Sequence, residues 1–131
     1  NIEKAKTTII NRTYEHAKKL GIEFDVEYDR IENLYKYLNN TNIIINTTSV
    51  GMNPNPNNCI IPKEIFPNNK IIMDIVYNPV ETILIKLAKQ NDCLTITGDK
   101  MLAYQAIGQF QKWTNTDPDF DLMLKKLTKN L

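Results

Sequence analysis

Ile71-Ile72-Met73-Asp74-Ile75-Val76-Tyr77-Asn78-Pro79 is the stretch whose reading decides the fold. An unbroken apolar run leads into one acid, Asp74, and then into an aromatic, an amide and a proline. Apolar residues without polar alternation mark a strand buried on both faces, as in a parallel sheet. Proline lacks the N–H that a ladder needs, so Pro79 stops the strand. A buried strand that ends in polar groups delivers them to the carboxyl edge of its sheet. In open α/β sheets that edge is where ligands bind.

Downstream, Val80–Gln90 predicts a helix with Ile83, Leu84, Leu87 and Ala88 as its apolar stripe. Leu94–Ile96 is a short strand. Asp99 or Thr97 caps a long helix running to about Trp113, with Leu102, Ala103, Ala106, Ile107, Phe110 and Trp113 as its buried face. A last helix, Phe120–Leu131, carries Leu122, Leu124, Leu127 and Leu131. Upstream, Ile43–Ile45 is a buried strand closing at Asn46-Thr47-Thr48-Ser49. The Asn53–Asn58 run after it holds two prolines and reads as a surface loop. Pro62–Phe66 suits one helical turn. Ile31, Leu34, Tyr35 and Leu38 have helical spacing and predict a helix over Arg30–Leu38. Phe24–Tyr28 reads as a short strand. Before it a helix runs to about Leu20, with Thr13 as N-cap and Gly21 as terminator. Thr7–Ile10 is the first buried strand, and Asn1–Lys6 reads as a helix tail and a turn.

Short apolar strands alternating with helices predict an α/β fold: a Rossmann-like, three-layer parallel sheet with helices on both faces. Its 131 residues suit one domain over 1–131, with no repeat and no dividing linker. A net charge of +1 gives no basic field for nucleic acid or an anionic membrane. No apolar run approaches the roughly 20 residues of a membrane span. Cys59 and Cys93 lack paired spacing and read as free thiols in a reducing, cytoplasmic compartment. The spacing of a metal site and the signature of a nucleophilic triad are both missing. The chain opens Asn1-Ile2-Glu3-Lys4 with no initiator Met and no signal peptide, which fits a fragment, a processed chain or one domain of a longer protein.

Four segments sit at strand ends. Asn11-Arg12-Thr13 joins the first strand to its helix. In dinucleotide folds an acid at such a place bonds the ribose 2′-hydroxyl of NAD, whereas an arginine accommodates a 2′-phosphate. Arg12 is present and the acid is not. A guanidinium matches phosphate as a bidentate, charge-assisted partner. Taken alone, Arg12 also reads as an ordinary surface arginine beside a helix cap. Asn46–Ser49 reads equally as a cleft lining and as a capped turn. Ile75, Val76 and Tyr77 stand at the mouth of the central strand, where an apolar residue can pack on a flat ring and a hydroxyl can bond a polar substrate. Tyr77 also reads as a core tyrosine with a satisfied hydroxyl, and Asp74 as a group bonding the amides of the turn. Gly98, Met101 and Gln105 open the long helix, the last two on one face; a helix-start glycine and a core methionine are the plainer reading. His16, the one histidine, has no visible partner for acid–base work.

In this order the segments resemble the carboxyl-terminal, NADP-binding half of the shikimate dehydrogenase family. Asn11-Arg12-Thr13 is similar to that family's Asn-Arg-Thr. Asn46-Thr47-Thr48-Ser49-Val50-Gly51-Met52 is similar to its Asn-Ala-Thr-Ser-x-Gly-Met, and Asp74–Pro79 with Thr82 and Leu84 to its Asp-x-x-Tyr-x-Pro. Gly98, Met101-Leu102, Gln105-Ala106, Phe110 and Trp113-Thr114 fit its final long helix. The resemblance implies reversible NADPH-dependent reduction of 3-dehydroshikimate to shikimate, in aromatic amino-acid synthesis. By it, Arg12 grips the 2′-phosphate beside Asn11 and Thr13. Thr48 and Ser49 lie along the cofactor, Ile75 and Met101 flank the nicotinamide, and Gly98 meets it through backbone. Tyr77 and Gln105 reach the substrate. His16 stands where the family carries a second basic residue, so phosphate binding is expected to weaken as the imidazole loses charge.

The family's glycine-rich loop, first strand and substrate domain, with its catalytic Lys and Asp, have no counterpart in the sequence. That leaves no catalytic residue here. In the strand order 3-2-1-4-5-6 the missing strand is central. Its loss leaves two bare edges that invite association, as a homodimer for one. The chain alone is therefore expected to fold poorly, to swap, or to belong to a longer polypeptide, and to be inactive. The alternatives are a quinate/shikimate dehydrogenase using NAD, and a non-catalytic binding domain of the same fold.

Overall fold

The structure is a computed structural model that describes residues 5–129. Most of the helix tail and turn expected over 1–6, and Leu131 in the last helix, lie outside the described residues. The chain forms two compact units, residues 1–40 and 41–131.

In the first unit, β1 (Thr8–Asn11) and β2 (Glu27–Arg30) pair in parallel, with Asn11 beside Arg30 at the carboxyl end. The helix α1 (Tyr14–Phe24) makes the crossover and packs on both strands. Gly21 was expected to end this helix; instead it lies buried inside it. A Cβ at Gly21 would fall 2.2 Å from the Tyr28 ring, so the missing side chain lets β2 close on the helix. The stop comes at Asp25, in the left-handed conformation at φ 53°, a geometry asparagine and aspartate tolerate.

The helix expected over Arg30–Leu38 is broken. A 3-10 turn, Ile31–Asn33, precedes a four-residue α2 (Tyr35–Leu38). The bonds Leu34 N–H to Ile31 O, Tyr37 N–H to Leu34 O and Asn40 N–H to Tyr37 O all span three residues. Asp29 holds this segment, accepting from its neighbour Arg30 N–H at 2.7 Å, Asn33 Nδ2 at 2.8 Å and the Tyr37 hydroxyl at 2.9 Å.

In the second unit, β3 (Ile43–Asn46), β4 (Ile71–Asp74) and β5 (Leu94–Ile96) form a parallel sheet in the order β3-β4-β5. Ile43 pairs with Ile71 and Ile71 with Leu94, so alternate residues share a face across all three strands. The helix α3 (Ile83–Gln90) packs on β4 and β5 and buries Leu84, Ile85, Leu87 and Ala88. It starts at Ile83, not Val80, because the Thr82 side chain caps it. Ile72 is fully buried. On the alternate positions Ile43 and Ile45 are each 53% exposed, Leu94 70% and Ile96 41%, although the sequence read these strands as buried.

The long helix α4 (Gly98–Thr114) and α5 (Phe120–Thr128) pack on each other, with Tyr104 and Phe120 rings 4.7 Å apart. Ala103 is buried as expected, but Trp113 is 80% exposed, contrary to the predicted stripe. The apolar period of α4 outruns the surface it covers among the described residues. Asp119 caps α5 through Leu122 N–H at 2.9 Å.

Candidate functional site

At the carboxyl edge of the first unit, β1 ends in Asn11 and α1 begins three residues later. Thr13 is the N-cap residue, but its hydroxyl caps nothing. Asn11 does the local work instead: its Oδ1 accepts the Thr13 N–H at 2.9 Å, an Asx turn that redirects the chain from strand to helix. Arg12, Thr13 and His16 are all exposed at this edge. Sequence reasoning missed a further cation here. Arg30 ends β2 beside Asn11, and its guanidinium lies 4.6 Å above the Tyr14 ring. Only the pairing register brings Arg30 there, and the sequence alone does not show that register.

At the carboxyl edge of the second unit, Asn46 and Asp74 are register partners at the ends of β3 and β4, and both are buried. Asn46 Nδ2 donates to Asp74 Oδ1 at 3.0 Å and to Val50 O at 3.3 Å. Asn46 Oδ1 accepts from Thr48 N–H at 3.0 Å and from the Thr48 hydroxyl at 2.7 Å. Asp74 Oδ1 also accepts Val76 N–H at 3.1 Å, and Oδ2 accepts the Thr82 hydroxyl at 2.7 Å. Asp74 therefore bonds the turn, as one reading of the sequence had it, and reaches the cap of α3 as well. A buried carboxylate is tolerated because every bond it needs is made by a fixed donor.

This network sets the geometry of the loops around it. The Thr48 hydroxyl is spent within the turn, since it also accepts Val50 N–H at 3.1 Å. Ser49 is exposed in the same turn. Asn53 N–H donates to Asn78 O at 3.1 Å, and Asn53 Nδ2 to Asn78 Oδ1 at 2.7 Å, tying the loop after β3 to the loop after β4. Ile75 is half-buried and Tyr77 is exposed at the strand mouth, so Tyr77 is not a core tyrosine. A Cβ on Gly98 would meet Ile75 O at 2.3 Å and Val76 O at 2.6 Å. The first residue of α4 therefore rests directly on the backbone leaving β4. Met101 follows half-buried and Gln105 exposed, one turn apart on one face.

Asp99, in the first turn of α4, is buried, and its Oδ1 has no hydrogen-bond partner among the described residues. Neither Thr97 nor Asp99 caps this helix with its side chain; Thr97 takes the N-cap position without a side-chain bond. Burial pushes the Cys59 thiol above its ordinary range, against partial relief from backbone bonds at Ile61 and Ile60. Among the described residues, no group of three or more His, Cys, Asp or Glu could hold a metal ion. No helix there is long and apolar enough to cross a membrane. A concavity lined by Asn42, Asn69, Ile71, Asp92 and Leu94 opens at the opposite, amino edge of the sheet and carries none of these side chains.

Parallel strands, joined through helices from β1 to β2 and from β4 to β5, with polar or glycine-bearing turns at their carboxyl ends, define a Rossmann-like α/β fold. The chain belongs to the shikimate/quinate 5-dehydrogenase family: the family model described as Shikimate / quinate 5-dehydrogenase matches residues 2–78, and that of the Shikimate 5'-dehydrogenase C-terminal domain matches residues 100–128. The NADP(+) shikimate dehydrogenase of Pyrococcus furiosus is 39% identical over 119 residues, covering 91% of this chain and 43% of that protein. The one from Methanococcus aeolicus is 40% identical over 123 residues, covering 88% and 44%. Shikimate 5-dehydrogenase from Thermus thermophilus, solved in complex with NADP(H) and shikimate, superposes with a TM-score of 0.85 at 29% identity, over 96% of this chain and 46% of that one. The chain spans about half the length of the curated relatives it matches.

Proposed function

We propose that residues 1–131 act as the NADP-binding domain of a shikimate dehydrogenase, which reversibly reduces 3-dehydroshikimate to shikimate with NADPH in aromatic amino-acid synthesis. The observation that supports this reading is the carboxyl edge of β1, where Asn11 turns the chain into α1 and the next residue is an exposed arginine, Arg12, rather than an acid; in dinucleotide folds an arginine at such an edge accommodates a 2′-phosphate. The NADP-dependent relatives named above support it.

In this reading Arg12 grips the 2′-phosphate, with Asn11 and Thr13 beside it and His16 as a second basic group. Thr48 and Ser49 line the cofactor. Because the Thr48 hydroxyl is spent in its turn, Ser49 supplies the available hydroxyl of the pair. Ile75 and Met101 flank the nicotinamide, Gly98 meets it through backbone, and Tyr77 and Gln105 bond the substrate. Proton transfer falls to a substrate domain that partners this one, in a reducing, cytoplasmic setting. Arg12 in place of an acid weighs against NAD and the quinate-type alternative.

The test is an initial-rate assay of the native polypeptide with shikimate or quinate and NADP+ or NAD+. The expected result is shikimate oxidation with kcat/KM at least about tenfold higher for NADP+, a margin of the size one charge-assisted contact supplies. Arg12→Ala should cut that margin about tenfold. Equal use of NAD+, or oxidation of quinate alone, would refute the reading. His16 is checked by following NADP+ affinity from mildly acid to mildly alkaline pH; a flat profile removes it from the site.

A further inference from the structure

We propose that Arg30 is a second phosphate-gripping side chain at the adenosine end of the cofactor site, held in place by a stack of aromatic rings for which Gly21 makes room. The inference rests on the 2′-phosphate reading of Arg12 and adds a specificity-determining residue to it.

The stack is built in steps within the first unit. Gly21 has no side chain, so the Tyr28 ring lies against α1 where a Cβ would be. The Tyr14 ring, on the first residue of α1, sits 5.9 Å from the Tyr28 ring and tilted by 52°. Arg30 is two residues beyond Tyr28 on the same face of β2, and its guanidinium lies over Tyr14 at 4.6 Å. The register sets Arg30 beside Asn11, the residue before Arg12. Both arginines are thereby brought to one sheet edge, at the point where α1 begins.

A guanidinium stacked on a ring is fixed in plane by one face, while its five N–H donors point outward around its rim. Among the described residues, neither Arg30 nor Arg12 has a carboxylate within ion-pair distance. The nearest acid in sequence, Asp29, points to the other side of the strand. Its carboxylate is occupied by Asn33, Tyr37 and the Arg30 backbone N–H. Glu15, in the first turn of α1, is exposed. A pre-set fork without an internal acceptor suits a doubly charged phosphate monoester, which takes two parallel N–H bonds. It gives nothing extra to a ribose that carries only hydroxyls. Arg30 should therefore sharpen the choice of NADP over NAD.

The experiment measures dissociation constants of NADP+ and NAD+ by calorimetry on the native polypeptide and on Arg12→Ala, Arg30→Ala, Arg30→Lys and Tyr14→Leu. Arg30→Ala should weaken NADP+ about tenfold and leave NAD+ within about twofold, the size of one lost charge-assisted bond. Arg30→Lys should recover part of the loss, because it keeps the charge without the planar fork. Tyr14→Leu should weaken NADP+ about threefold with NAD+ unchanged. The inference is overturned if Arg30→Ala leaves the NADP+/NAD+ ratio within about twofold of wild type while Arg12→Ala collapses it; the 2′-phosphate reading then stands without Arg30. It is also overturned if Arg30→Ala weakens both cofactors equally, which marks a purely structural arginine. If the wild type itself does not prefer NADP+, the reading of the whole edge fails.

Discussion

Replacing Asp74 with alanine should destabilise the protein far more than replacing it with asparagine. The carboxylate takes three donors: Asn46 Nδ2 and Val76 N–H on one oxygen, the Thr82 hydroxyl on the other. All three donor residues are buried. A buried donor stripped of its acceptor costs about 1–3 kcal/mol. Three such losses, discounted because the groups share one site and relax together, give about 4 kcal/mol for Asp74→Ala. Asparagine keeps one oxygen for Val76 and Asn46. Its amide faces Thr82, whose hydroxyl can rotate to accept, so Asp74→Asn should cost about 1 kcal/mol. Urea unfolding of the native polypeptide, read by circular dichroism, gives both values from the shift in midpoint at constant slope. Thr82→Val closes a double-mutant cycle, in which a coupling of about 1–3 kcal/mol is expected. A cost for Asp74→Ala below about 1.5 kcal/mol, equal to that of the exposed Asp92→Ala, would show that the network does not hold the edge together.

Two glycines of α4 should respond in opposite directions. Gly98→Ala drives a Cβ into the backbone of Ile75 and should cost about 1–3 kcal/mol. Gly108→Ala meets nothing within 4 Å and should gain about 0.5–1 kcal/mol through helix propensity; thermal melts of the two variants give the sign of each. The hydrogen bond to Asp29 raises the Tyr37 pKa above the ordinary tyrosine value, and the bonds from Asn33, the Arg30 backbone and Tyr37 hold Asp29 below the ordinary aspartate value. Asp29 therefore stabilises the fold above the unfolded aspartate pKa, and loses that effect as pH falls through its lowered value. Tyr37 stabilises below the unfolded tyrosine pKa and loses its effect as pH rises through its raised value. Ultraviolet titration should show Tyr37 ionising late, and Asp29→Ala should abolish the delay. Finally, Asp99→Leu removes a buried carboxyl oxygen without a partner among the described residues and should raise stability by about 1–2 kcal/mol; a lower melting temperature would refute this.

β1, β3, β4 and β5 were legible because a parallel strand shows as a run of Ile and Leu; β2 (Glu27–Arg30) has no such run, and the strand expected over Phe24–Tyr28 came too early because Phe24 still belongs to α1. The positions of Arg12, Tyr77 and Gly98 followed from where those runs stop. What escaped detection was set by contacts distant in sequence. Gly21 carries the local mark of a helix end, yet its role is to admit Tyr28 from the next strand. The spacing of Ile31, Leu34 and Tyr35 fits a helix, but Asp29 captures the segment into tighter turns. Thr13 has the right chemistry for a cap, and Asn11 reaches the amide first. Asn46 and Asp74 are 28 residues apart, so their bond is invisible until the register of β3 and β4 is known. Periodicity put Trp113 inward, since an apolar stripe reports what a helix can bury and does not show how far its cover extends.

The paired amide bonds between Asn53 and Asn78 make the two loops at the second unit's carboxyl edge into a single leaf. One loop follows β3 and carries Ser49 at its start; the other follows β4 and carries Tyr77. A displacement of either is transmitted to the other through the tie, so a molecule that settles against one loop does mechanical work on both.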